Sequence, residues 1–140
     1  MRRSKRKKLR EAEPIRCVIF LSSDEMDNFD MAARKEDKQL RYISEYAKAH
    51  NLEPMRIVRR GCFEGHVKNS LFHRIIAYME QGKAEALLVA NMYAISNGVA
   101  DAYFRVGMVK EKGFRVITVD EGELGMKLYQ PPQKVEIEVW

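Results

Sequence analysis

Cysteine is scarce in this chain, which excludes two function classes. Two thiols in 140 residues, Cys17 and Cys62, are too few for a secreted disulfide scaffold and lack the paired spacing of a zinc site, so both read as reduced packing residues. Histidine is equally thin: His50, His66 and His73 are scattered, and no His/Cys/Asp cluster stands at metal-ligand spacing, so no metal and no other cofactor is expected. Long apolar runs are missing as well. Nothing approaches the roughly 18 residues of a membrane span, and the basic N-terminus is not followed by the apolar stretch of a signal peptide. A soluble, cytoplasmic protein without a membrane partner is the resulting expectation. Neither GxGxxG nor GxxxxGK[ST] occurs, so a dinucleotide or P-loop nucleotide site has no support.

What the chain does have is an uneven distribution of charge. Of its 25 Lys and Arg residues, seven fall in the first ten positions, which leaves 18 against 20 acidic side chains and confines the net charge of +5 to the tail. Those seven are Arg2, Arg3, Lys5, Arg6, Lys7, Lys8 and Arg10. Such a run repels itself and buries no apolar surface, so residues 1–14 read as a disordered basic tail able to bind DNA nonspecifically through its phosphates. A plain solubilising leader is the alternative.

The remaining chain, 15–140, is long enough for one domain with a real core. IRCVIFLSS after Pro14 has the composition of a buried strand that ends at Ser-Ser-Asp. Leu40, Ile43, Tyr46 and Ala47 recur at three- and four-residue steps, which predicts a helix over 33–50 stopped at Asn51. MRIVRR reads as a second strand and GCFEGHVKN as a flexible loop. Leu71, Phe72, Ile75, Ile76 and Met79 predict a helix over 70–81 ended by Gly82, and AEALLVAN is the third strand. A helix over 98–112 ends at Gly113, FRVITVD is the fourth strand, and the alternating KVEIEVW is an edge or hairpin strand exposed on one face. Strands alternating with helices predict an α/β fold with a central, mainly parallel sheet covered on both sides.

Function in such folds gathers at the carboxyl ends of strands. Here those ends carry Ser22, Ser23 and Asp24 after the first strand, and Asn91, Tyr93, Ser96 and Asn97 after the third. The bland readings are strong. A serine after a strand commonly caps the next turn, Ser96 and Asn97 suit helix caps, and an aromatic such as Tyr93 is commonly packed. The acidic group Asp24, Glu25, Asp27 and Asp30 reads as a solvated loop of the wrong sign for a DNA phosphate.

Over about residues 15–128 the order and spacing of elements resemble the catalytic domain of the serine recombinases, the resolvase/invertase family. The resemblance rests on the first strand running into a serine, the helix around QLRYISEYAKAHNL, the EG pair at 64 and 65, and NSLFHRIIAYMEQGKAEALLVANMYAISN. It implies a resolvase-like three-layer fold, with Ser22 on the family's nucleophile position. The family writes that strand end as Tyr-x-Arg-x-Ser, whereas here Val18 replaces the tyrosine and Phe20 the arginine. An Arg-Pro pair becomes Asn69 and Ser70, and Asp-Arg-Leu-x-Arg becomes Tyr93, Ala94, Ile95, Ser96 and Asn97. All four alignable arginines are lost.

That loss matters because a serine hydroxyl is a weak nucleophile and a phosphodiester under attack gathers negative charge. Guanidinium groups answer both needs. Removing one donor aimed at the transition state commonly lowers the rate about 10²–10³-fold. Arg59, Arg60, Lys68 and Arg74 lie near the altered positions and are the candidates for replacement, but nothing in the order of residues brings any of them to Ser22. Ser22 therefore reads as a vestigial nucleophile. Neither the family's long dimerising helix nor its separate DNA-binding domain is expected after Trp140. The expectation is a catalytically silent recombinase-like domain of a mobile element or its neighbourhood, acting on DNA through the tail and on protein partners, a homodimer mate or a recombinase. An active recombinase using Ser22, and a small-ligand module using the strand-end cleft, are the alternatives.

Overall fold

The computed structural model describes residues 13–23, 28–61, 65–95 and 99–125, with the backbone alone at 65–69, 93, 99 and 100. In chain order the elements are β1 (Ile15–Leu21), α1 (Phe29–Ala49), β2 (Leu52–Arg59), α2 (Gly65–Glu80), β3 (Ala86–Val89), a 3-10 turn (Met92–Ile95), α3 (Val99–Glu111), β4 (Arg115–Thr118) and β5 (Gly122–Glu123). Residues 1–12 of the basic tail, Asp24, Glu25, Asp27, Cys62, Ser96, Asn97 and KVEIEVW lie outside the described residues.

β1 carries no polar face because both of its faces are covered. Val18 and Phe20 point into one apolar core with Phe72, Ile75 and Met79 of α2 and Val106 and Val109 of α3. Cys17, Ile19 and Leu21 point into a second core with Ile43 and Ala47 of α1. The two-residue period of the strand thus meets the helical period twice, and the product is a three-layer sandwich. Burial and the nearby Glu53 charge push the Cys17 thiol up to about 12, which suits a packing role.

The sheet runs β2-β1-β3-β4-β5. β1 pairs in parallel with both β2 and β3, β3 pairs in parallel with β4, and β5 alone is antiparallel. The chain first steps from β1 to one side, with α1 on one face. It then crosses back over β1 to β3, with α2 on the other face. Right-handed crossovers require this change of face whenever the winding direction reverses. The reversal opens a crevice between the carboxyl ends of β1 and β3, the place where doubly wound sheets put their sites.

Local signals end the helices as their residue types predict. The Asn28 side chain caps α1 by accepting the Met31 N–H at 3.0 Å. Asn51 adopts a φ of 58° just past α1, and Gly82 a φ of 83° just past α2. One expectation needs correction, and one element left no signal in the sequence. Residues 65–69 of the anticipated flexible loop belong to α2, which Gly65 opens. β4 pairs antiparallel with the two-residue β5, which is too short to show a periodic pattern. Among the described residues no helix is long and apolar enough to cross a membrane.

Candidate functional site

The register of the β1/β2 pair brings the site together. Leu21 lies opposite Arg59, and the Arg60 N–H donates to the Leu21 carbonyl at 3.0 Å, so Ser22 and Arg60 leave the sheet side by side. Arg60 Nε donates to Ser22 Oγ at 3.1 Å, and its Nη2 donates to the Ser23 carbonyl. Gln39, on α1, grips the same residue from the other side. Its Oε1 accepts the Ser22 N–H at 3.0 Å, and its Nε2 donates to the Ser22 carbonyl at 2.8 Å. Ser22 is 6% exposed and Arg60 2% exposed. The pair is therefore largely covered by protein.

One turn before Gln39, Glu36 is buried and accepts the Gly61 N–H at 2.7 Å. Arg59 lies 3.7 Å from Glu36 while its other guanidinium nitrogen bonds Asp37 at 2.9 Å. Desolvation raises the Glu36 carboxyl above the ordinary range, against the pull of the Gly61 N–H, Arg59 and Arg60, with Asp37 adding to the rise. The folded state then holds the Glu36 proton more tightly than the unfolded chain does. Between the ordinary Glu value and the raised one, the unfolded state binds fewer protons, so stability is highest at the acid end and falls as pH rises. Glu36→Gln is expected to flatten that descending limb, read from urea-unfolding free energies across about pH 4 to 7. An unchanged slope would assign the pH dependence elsewhere.

The opposite wall of the crevice is acidic. The Tyr42 hydroxyl donates to Asp120 Oδ1 at 2.6 Å, Asn91 Nδ2 donates to Asp120 Oδ2 at 3.3 Å, and Glu121 Oε1 accepts the Met92 N–H at 3.2 Å. The bond to Asp120 raises the Tyr42 phenol above its usual value. Asn91, singled out as a strand-end polar group, therefore ties the end of β3 to the turn after β4. Among the described residues no three His, Cys, Asp or Glu side chains group as metal ligands would.

No family model matches the chain, and no curated protein matches it. Solved structures do. The N-terminal catalytic domain of TP901-1 integrase superposes with a TM-score of 0.62 at 18% identity, covering 76% of this chain and 79% of that one. A resolvase family site-specific recombinase from Streptococcus pneumoniae superposes with a TM-score of 0.62 at 13% identity, covering 77% of this chain and 74% of that one. The chain has the resolvase-type recombinase fold.

On that resolvase-type fold, the positions that the resemblance assigns to arginines carry no replacement cation of their own. Phe20 is fully buried and Ala94 is 8% exposed, both within the α2/α3 core. Asn69 is described only by its backbone in α2, and Asn97 lies outside the described residues. Ser22 is nonetheless not bare, which the order of residues did not indicate. A guanidinium does meet Ser22, and it comes from Arg60, one of the nearby cations named from sequence. Of the other three, Arg59 turns to Asp37 and Glu36, Arg74 lines a groove between β2 and α2, and the Lys68 side chain is outside the described set. Sequence reading also missed Gln39 and Glu36, whose three-residue spacing on α1 puts both on the face toward the β1 and β2 ends. Among the described residues, Ser22 Oγ is met by one guanidinium and by no carboxylate or imidazole that could take its proton.

Proposed function

We propose that this chain is a recombinase-fold domain whose own strand-transfer chemistry is silent, and that it works through DNA and protein contacts within a recombination system or mobile element. The observation that supports the reading is the enclosed Ser22–Arg60 pair. Arg60 bonds both the hydroxyl and the neighbouring carbonyl, which is the arrangement of a structural latch that fixes a strand end. Phosphoryl transfer instead needs an accessible hydroxyl, several cations on the phosphate oxygens and a proton acceptor. The basic tail supplies nonspecific affinity for DNA, through Arg2, Arg3, Lys5, Arg6, Lys7, Lys8 and Arg10.

The test uses the purified full chain, its Ser22→Ala variant and a variant lacking residues 2–10. Incubation with supercoiled DNA followed by denaturing gel analysis is expected to give no covalent adduct with either full-length protein. DNA affinity is expected to fall with salt at a logarithmic slope of up to about −6, or about 10³–10⁴-fold between 50 and 200 mM, if all seven tail cations engage phosphates. Most of that slope should vanish with the tail. Affinity unchanged by the deletion would remove the tail from the function.

One observation favours a second reading. An Nε–H donor 3.1 Å from Ser22 Oγ stabilises the alkoxide form of that serine, so an opened site could use Ser22 as a nucleophile with Arg60 as its cation. A protein–DNA adduct present in the parent and lost in Ser22→Ala would establish it.

A further inference from the structure

Among the described residues β2 is an edge strand, with no strand on its outer side. Six of its eight residues are exposed, among them Met55 at 43% and Ile57 at 47%. Because the Arg60 N–H points to β1, the two-residue alternation turns the amides of Ile57 and Arg59 outward. Long edges of this kind pair with another strand unless something blunts them, and Pro54 removes one donor near the start of the strand only.

The two faces of this edge differ in chemistry. On the α1 side Ile57, aligned with buried Ile19, presents apolar surface. On the α2 side a groove of about 420 Å³ has an apolar floor that includes Val18, Val58, Leu71 and Ile75. Its charged lining residues among those described are Arg56 and Arg74, both cationic. The Arg56 guanidinium sits 5.1 Å from the centroid of the Tyr78 ring, and the Lys83 ammonium sits 5.5 Å from the same ring. A strand that fits this edge needs apolar residues on one face and carboxylates on the other.

Residues 134–140, KVEIEVW, have that composition: Val135, Ile137 and Val139 alternate with Glu136 and Glu138. The reach of the chain decides which copy supplies them. Gly125 follows β5 at the far edge of the sheet, and the position outside β2 is five strand spacings away, about 24 Å. The eight residues 126–133 span at most about 26–29 Å when fully extended. Almost no length remains to pass around the helices, whereas a second copy meets no such limit. We propose that residues 134–140 of a second copy add to the outer side of β2, with Val135, Ile137 and Val139 beside Ile57 and with Glu136 and Glu138 over Arg56 and Arg74. Reciprocal exchange makes a two-fold dimer. The proposal does not depend on whether Ser22 is silent.

Sedimentation equilibrium of the full chain tests it, together with hydrogen exchange at Ile57 and Arg59. A dimer with both amides protected is expected. Ile137→Lys, and separately the pair Arg56→Glu with Arg74→Glu, should weaken dimerisation at least about tenfold and expose the amides. Adding Glu136→Arg and Glu138→Arg to the reversed groove should restore both, which guards against variants that merely misfold. A monomeric parent, a dimer indifferent to all these changes, or amide protection that persists in the monomer, as addition within one molecule would give, overturns the proposal.

Discussion

Phe20→Arg is expected to leave the chain unfolded at 25 °C. The resemblance to the serine recombinases puts an arginine at this position, two residues before Ser22, so the substitution looks at first like the repair of a lost catalytic group. The packing says otherwise. Phe20 is fully buried among Val18, Phe72, Val89, Ile95 and other apolar side chains of the α2/α3 core. An unpaired cation there is destabilising by several kcal/mol even after relaxation. Lost aromatic packing adds to that deficit, against a total stability on the order of 5–15 kcal/mol. Far-UV and near-UV circular dichroism would read the outcome. Phe20→Leu is the control, expected to stay folded at a loss of about 1–1.5 kcal/mol. A Phe20→Arg protein with a native-like melting transition would mean that this side of Ser22 opens to water, and the nucleophile reading would gain accordingly.

Arg60→Met is expected to lower the unfolding free energy by about 3–5 kcal/mol and the melting temperature by roughly 10–20 °C. The change removes the partner of Ser22 Oγ and of the Ser23 carbonyl, and it deprives buried Glu36 of one of the two guanidinium groups that favour its ionised form. Ser22→Ala should be milder, about 1–3 kcal/mol, because it orphans a single buried donor. In the Arg60→Met background the Ser22→Ala loss should shrink, since the donor it would orphan is already gone. Urea denaturation of the four proteins closes this cycle. A loss under about 1 kcal/mol for Arg60→Met would show that the latch contributes little to holding the strand ends together.

Much of the architecture was legible because burial leaves period-two and period-3.6 patterns in the order of residues. IRCVIFL has the β-branched apolar composition of a doubly covered strand, and LFHRIIAYM places its apolar residues on one helical face before Gly82 stops it. The misreading and the omission fall where that pattern fails. Glycine at 65 looked like a loop but begins a helix, and β5 spans only Gly122–Glu123, below the length at which alternation can register.

The sequence by itself determined the layered α/β fold, the placement of Ser22 at the end of β1, and the loss of the arginines that the family pattern leads one to seek. Tertiary structure alone decided what surrounds that serine. Arg60 is 38 residues away and Gln39 is 17 away, and nothing in their local sequence marks them as its partners. The register of β1 against β2 sets the first contact and the docking of α1 across the sheet sets the second. Periodicity encodes which side of an element is buried; it carries no record of which other element will lie against it, because that choice is made by packing among residues far apart in the chain.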